Sequence, residues 1–424
     1  MIGVAAAARR AFWSLRVRNY RVYFIGQVIS ISGTWMQGVA QAWLVLSLTG
    51  SGTALGLVSA LQFLPVLFLG PLGGVITDRF DKRRLLLITQ TAAALLATTL
   101  GLLVLFDLVR LWMVFALAAG LGFVNLVDNP TRQTFVIEMV GPEDLVNAVG
   151  LNSVIFNLAR MIGPAIAGIL IVTVGMAPCF LINATSYLAV IAALMMMRVS
   201  ELRRAPIQPR RPGQLMEGFR YVRSTPTLLT PLLMAAVMGT LAYEFQVILP
   251  LVAKFTFHGD AVTYGTMSAV FGAGAVTGGL LTAARRWHGS VSLSRTALVF
   301  GTFQVAAALA PTLWAELAIL VFVGGASIAF LTLGNSTLQL ASAPEMRGRV
   351  MGLWAVAFLG SVPIGAPIIG WIGGHLGPRY GLGLGGLASL ACGALAYRTL
   401  VKVAAASGRE AAAEQPRLPQ AEPA

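Results

Sequence analysis

Two ionisable side chains lie deep inside apolar stretches of this chain: Glu244, in Ala242-Tyr243-Glu244-Phe245-Gln246, and Arg160, in Phe156-Asn157-Leu158-Ala159-Arg160. Placing such a group at the centre of a hydrocarbon layer costs roughly 2.5 to 3.5 kcal/mol unless it finds a partner or a wet cavity. A carboxyl in apolar surroundings can exchange a proton near neutral pH, and a guanidinium can hold an anion. Together they carry the chemistry needed to couple protons to the movement of a solute. Asp128 is the candidate partner for Arg160, since the segments holding Glu244 and Arg160 are not expected to be neighbours. Against this stands a purely structural reading, with Glu244 at a wetted vestibule and Arg160 tied to backbone carbonyls.

Other chemistries find no support. His258, His288 and His375 are scattered without metal-ligand spacing, and Cys179 and Cys392 both sit in apolar runs, so neither a metal, a cofactor nor a disulfide framework is expected. Gly381-Leu-Gly383-Leu-Gly-Gly386 has the form of a dinucleotide fingerprint, but no strand precedes it and it opens an apolar span. Helix packing explains it better. Without a phosphate loop, a serine-nucleophile elbow or a zinc-protease motif, an enzyme is not indicated.

The elements that must position Glu244 and Arg160 follow from composition. Of 424 residues, 57% are hydrophobic and 11% charged, where an ordinary soluble domain has about 25% charged. Apolar segments recur at 20–46, 52–76, 85–106, 111–126, 147–174 and 178–197, and again at 228–253, 264–284, 293–310, 313–333, 350–375 and 380–401. Each is near the ~20 residues that a helix needs to cross a bilayer. The expected organisation is an N-terminal arm (1–19), a six-helix bundle (20–197), a linker (198–226), a second six-helix bundle (227–402) and a disordered tail (403–424). The fold class is therefore all-α integral membrane, with twelve transmembrane helices and no signal peptide. Residues Phe12, Trp13 and Leu15 among arginines read as a helix lying on the membrane or as an unstructured arm.

Charge orients the assembly. The net charge is +14, and a nucleic-acid surface would need these residues gathered on one face. Instead they fall in alternate gaps: with both termini inside, 26 Lys and Arg are inside and only Arg110, Lys254 and Arg379 outside. The positive-inside rule then puts both termini in the cytoplasm. The halves also repeat one another, with Gly33-Thr34 matching Gly239-Thr240, Gly56 matching Gly265, Trp112 matching Trp314, and Gly163-Pro164 with Gly168 echoing Pro367 with Gly370. Paired halves around a midplane site are a transporter's arrangement.

Between spans two and three stands Gly74-Val-Ile-Thr-Asp78-Arg79-Phe80-Asp81-Lys82-Arg83-Arg84. It resembles the loop signature G-x-x-x-D-R-x-G-R-R of the major facilitator superfamily, with Asp81 in place of the family's glycine. Gly163-Pro164-Ala-Ile-Ala-Gly168 is similar to the glycine-proline motif of the superfamily's exporters. Asp128-Asn-Pro130-Thr-Arg132, together with Asn335 to Gln339 and Arg347-Gly-Arg349, resembles the branch that includes enterobactin and macrolide exporters. The resemblance covers 18–401, but span four lacks the arginine motif of other drug antiporters. It implies a proton-coupled antiporter of the inner (plasma) membrane that exports a small amphipathic compound such as a drug, siderophore or secondary metabolite by alternating access. An uptake symporter or facilitator of a nutrient or lipid is the alternative within the same fold. On this reading Glu244, Arg160 and Asp128 couple the proton, and Gly74, Asp78, Arg79 and Arg83 latch the halves. The cavity is lined by Thr34, Gln37, Gln41, Asn125, Asn157, Tyr243, Gln246 and Asn335, with aromatic walls from Trp35, Phe245 and Phe330. Gln37 and Gln41 are four apart and share a face, which Thr34 and Ser30 continue. Protons, the substrate and the bilayer are the expected partners of a monomer, with no nucleic acid.

Overall fold

The computed structural model describes residues 12–203, 214–284 and 290–413, and every regular element among them is helical. Expectations for residues 1–11 of the arm, 204–213 of the linker, His288 and residues 414–424 of the tail lie outside the described residues. The first half contains α1 (Arg18–Thr49), α2 (Gly52–Arg79), α3 (Lys82–Leu105), α4 (111–140), α5 (142–174) and α6 (Ala177–Met195). A short helix, α7 (Gln214–Ser224), leads into the second half. There span seven is broken into α8 (Pro226–Leu241) and α9 (Phe245–Leu251), and a π turn at Val252–Thr256 completes it. Then come α10 (Ala261–Ala284), α11 (Ser290–Ala308) and α12 (Leu313–Ala341). Span eleven is likewise broken, into α13 (Arg347–Leu359) and α14 (Val362–His375), and α15 (Pro378–Ala413) is the last.

Among the described residues, ten stretches are long and apolar enough to cross a membrane by length and composition, one of them the run Leu111–Val174 that contains both α4 and α5. Gly141, at φ 78°, divides that run; a side chain there would be strained in this left-handed conformation. Helix α1 carries the buried Gln27, Gln37 and Gln41, which lower its hydropathy, and its place in the bundle makes it the remaining membrane helix. Span four was expected to end at residue 126, yet α4 continues to residue 140. The reason is spacing: Asp128 and Arg132, four apart, pair on one helical face, while Phe135, Val136, Met139 and Val140 go on burying a side of the helix.

The described parts of the arm and of the linker both dock on protein. Trp13–Arg16 forms a single 3₁₀ turn against the start of α5. Ser14 donates from its backbone N–H (2.9 Å) and its hydroxyl (2.7 Å) to Asn147 Oδ1, and Arg16 pairs with Asp144 at 3.1 Å. Helix α7 is held to the second half by Glu217 with Arg349 at 2.9 Å, and by the Ala343 N–H donated to the Tyr221 hydroxyl at 3.2 Å.

The two halves meet along two seams built from the repeated residues. On α10, a Cβ added to Gly265 would stand 2.5 Å from the Pro164 carbonyl oxygen of α5. On α2, one added to Gly56 would stand 2.2 Å from the Ala366 carbonyl oxygen of α14, beside Pro367. Because Gly56 corresponds to Gly265 and Pro367 to Pro164, the seams are one contact made twice about a pseudo-twofold axis. Only glycine lets the backbones come so close. Both seams occupy the end away from the arginine-rich connections, where Lys254 Nζ also donates across to the Leu46 carbonyl at 3.0 Å. We call this the far end, and the other the basic end. Toward the basic end the halves part, leaving Phe68 and Leu72 on α2, Val146 on α5 and Val356 on α13 exposed. Trp112 and Trp314 are exposed at the far end, as residues of an interfacial belt are.

A side chain at Gly265 is expected to wedge this seam open. In Gly265→Val, a cysteine introduced at Ala261, which is 1% exposed in the native packing, should become reactive to a membrane-impermeant maleimide. Unchanged shielding would show that the seam tolerates a Cβ.

Candidate functional site

A cavity of about 770 Å³ lies between the halves, roofed by the seams and opening at the basic end. Helical periodicity writes its walls. Helix α5 supplies the longest stripe: Val149, Asn152, Ser153, Phe156, Asn157, Arg160 and Pro164. Residues 152, 156, 160 and 164 are each one turn apart. Opposite, α10 presents Tyr264, Ser268 and Phe271, four and then three residues apart and so on one face, and α1 and α2 contribute Trp35, Gly38, Val39, Ser59 and Phe63. Gly272 touches the Arg160 backbone on the basic-end side of that α10 stripe, and Asn152, Ser153, Phe156 and Asn157 of α5 lie beyond this contact, toward the basic end.

The roof is made by the break in span seven. Ala242 and Tyr243 both donate their N–H to the Met238 carbonyl, Glu244 takes a non-helical conformation (φ −80°, ψ 43°), and α9 starts after it. A broken helix in a membrane needs its freed backbone groups satisfied. Here Gln304 Nε2 donates to the Ala242 carbonyl at 3.1 Å, and the Tyr243 hydroxyl donates to the Ser327 carbonyl at 2.7 Å. The break thereby turns Tyr243, Glu244, Phe245 and Gln246 onto the cavity wall.

Glu244 is 6% exposed, and its Oε1 has no hydrogen-bond partner among the described residues. The Arg160 guanidinium lies 4.7 Å from the Phe271 ring centroid and 5.5 Å from that of Trp35, within reach of a cation–π contact. No ion pair to Arg160 occurs among the described residues. Glu244 and Arg160 are the one acidic and the one basic side chain among those lining the cavity. A wall of this kind can hold an amphipathic guest and exchange a proton with it nearby.

Of the residues that the sequence put at the cavity or the coupling site, Trp35, Asn157, Arg160, Tyr243, Glu244, Phe245 and Gln246 lie on the cavity wall, and the others lie elsewhere. Asp128 is no partner of Arg160: it is taken by Arg132 of its own helix and accepts from Thr89 Oγ1 (2.7 Å) and Gln90 Nε2 (2.8 Å). The face of α1 is also different. Trp35, Gly38 and Val39 line the cavity, Gln37 turns away to accept from Asn183 of α6 at 2.7 Å, Gln41 is buried outside the lining, and Thr34 is exposed with its hydroxyl on the Ser30 carbonyl. One residue on a helix is 100° of rotation, so a slip of one or two positions changes the neighbour. Asn125 is half-buried outside the cavity, Asn335 is engaged by Gln339, and Phe330 packs behind Tyr243. Next to Gly74, the neighbouring Gly73 makes a close helix approach, where a Cβ would meet the Leu126 carbonyl oxygen at 2.2 Å. With the basic end parted, Arg83 Nε donates to the Leu194 carbonyl within the first half at 2.7 Å. Gly74, Asp78 and Arg79 lie in the last turns of α2 at the basic end. In the glycine-proline motif, Gly163 packs on the Ser32 carbonyl and Trp35 of α1, and Gly168 on α10.

Sequence reasoning missed the α5 stripe beyond Asn157 and Arg160, although its four-residue period was legible. It also missed Glu316, fully buried on the first turn of α12 with both carboxylate oxygens unpartnered among the described residues.

The sequence model of the transmembrane secretion effector family, a major facilitator family, matches residues 10–422. The chain is 26% identical over 259 residues to the staphyloferrin A transporter of Staphylococcus aureus, covering 59% of this chain and 64% of that one, just under two thirds of its length. It is 25% identical to the enterobactin exporter EntS of Shigella boydii, over 91% of this chain and 92% of that one. It is likewise 25% identical to the multidrug efflux pump Tap of Mycolicibacterium fortuitum, over 80% and 85%. Among solved structures, a bacterial homolog of the human lysosomal transporter Spinster, inward-facing and unoccupied, superposes with a TM-score of 0.67 at 16% identity, covering 93% of this chain and 98% of that one. That likeness establishes the fold.

Proposed function

This chain belongs to the transmembrane secretion effector family of the major facilitator superfamily, and from that premise we propose that it exports a small amphipathic compound in exchange for protons. It is a multipass membrane transporter of small molecules, not an enzyme. In the proposed orientation the basic end faces the cytoplasm with both termini, in line with the count of 26 Lys and Arg in the sequence segments assigned inside against three outside. The cavity then stands open inward to load its cargo. Closure of the basic end, with parting of the two glycine seams, would expose the same site outward. The working unit is taken to be a monomer in the bilayer, since each chain encloses its own cavity.

The observation that carries this reading is Glu244, an acid without a hydrogen bond to its Oε1, at the roof of a cavity whose far end is sealed. In the outward state it takes a proton from outside; in the inward state it yields the proton to the cytoplasm, and cargo moves the other way. Inverted membrane vesicles with an imposed inside-acid gradient test the scheme. Ethidium or 8-anilinonaphthalene-1-sulfonate, a cationic and an anionic amphipathic dye, should accumulate in vesicles containing the protein, and an ionophore that collapses the gradient should release it. Accumulation that ignores the gradient would sink proton coupling, and gradient-driven dye movement out of the vesicles would point to uptake instead.

A further inference from the structure

We propose that the ligand of this cavity is an organic anion with a flat aromatic body, its charge on Arg160 and its ring between the aromatic side chains around it. The proposal deepens the export reading, since it rests on the cavity being the transported compound's site. Arg160 is the only basic side chain among the lining residues, and no carboxylate pairs with it among the described residues. A guanidinium in that position is held, not neutralised: Phe271 and Trp35 bracket it, and its fork of donors is left for an incoming acceptor. Glu244, the one acid of the wall, is almost fully buried and does not reach it.

The rest of the wall selects the body of the guest. Eight of the lining side chains are aromatic, among them Phe156, which meets Trp35 edge-on at 5.6 Å, and Tyr243. Such a sleeve favours a flat ring over a polyhydroxylated or aliphatic chain. Asn157 adds a third requirement. Its Nδ2 is spent on the Ser153 carbonyl at 2.8 Å, while its Oδ1 is buried without a partner, three residues before Arg160 on the same stripe. An acceptor left over there calls for a donor on the guest next to its anionic group. The mouth opens among the chain's excess of basic residues, so anions are concentrated at the entrance.

The test is calorimetric titration of the purified full chain in detergent with five probes: 2-naphthoate, 3-hydroxy-2-naphthoate, 2-naphthalenemethanol, 2-naphthylmethylamine and cyclohexanecarboxylate. Expected is binding of 2-naphthoate about tenfold or more tighter than of the alcohol, the amine or the non-aromatic acid, the size of one charge-assisted hydrogen bond. The 3-hydroxyl should add a further gain that Asn157→Ala removes. Arg160→Gln should erase the preference for the anions, and Arg160→Lys, which keeps the charge and so the fold, should weaken it. Equal affinity for the naphthyl acid, alcohol and amine would overturn the anion assignment while leaving the cavity a transport site, as would unchanged 2-naphthoate binding in Arg160→Gln. Binding of none of the five would overturn both this assignment and the reading of the cavity as the cargo site.

Discussion

Replacing Glu244 by glutamine should abolish the response of transport to a pH gradient without unfolding the protein. The amide keeps the shape of the protonated acid but cannot give up or accept the proton on a transport cycle. Its environment makes the substitution mild for stability: the side chain is 6% exposed, and Oε1 makes no hydrogen bond that the change would break. Burying an unpaired charge is costly, so the thermal midpoint in detergent should stay level or rise. Gradient-driven accumulation in inverted vesicles should fall to the level of empty vesicles. Exchange of labelled for unlabelled dye, which needs no net proton movement, should survive. Retained gradient-driven accumulation in Glu244→Gln would remove Glu244 from the coupling.

Removing Asp128 should have the largest effect on stability. Asp128 is 3% exposed, paired with Arg132, which in turn engages Gln27 of α1, and bonded to Thr89 and Gln90 of α3. It therefore ties three helices of the first half through one carboxylate. Asp128→Ala leaves the arginine buried without its counter-charge, and breaking a buried pair in this way costs about 3–5 kcal/mol. Adding Arg132→Met should recover most of the loss, because an apolar side chain of similar length fills the space without a charge to satisfy. Denaturant unfolding in detergent would measure both. A loss below about 1 kcal/mol for the single variant would mean that water reaches Arg132. If the double variant also keeps gradient-driven transport, Asp128 has only this structural task.

These two acids show why one was legible and the other was misassigned. Glu244 interrupts an apolar run, and in a membrane an isolated charge turns to a cavity or a partner rather than to lipid, so its place on the cavity wall could be read from the sequence. Asp128 stood in what looked like a polar connection. Its partner was four residues away on the same helix, so local pairing turned an apparent loop into about four more turns of α4. Charge patterning alone could not separate those outcomes, because it does not say which face a side chain presents.

What the chain determined by itself is the number, length and duplication of its spans, the gathering of cations at one end, and the small residues that recur in both halves. Each follows from local rules: hydrocarbon thickness, the cost of carrying charge across it, and the space a glycine leaves. Only the tertiary structure decided how the helices rotate. It turned Trp35 rather than Gln37 to the cavity and made α5 its main wall. It joined Gly56 to Ala366 and Gly265 to Pro164 as seams, and it placed Arg160 and Glu244 in one cavity although they come from different halves. Rotation about a helix axis is set by packing against partners distant in sequence, and a pattern read along one strand of residues does not contain those partners.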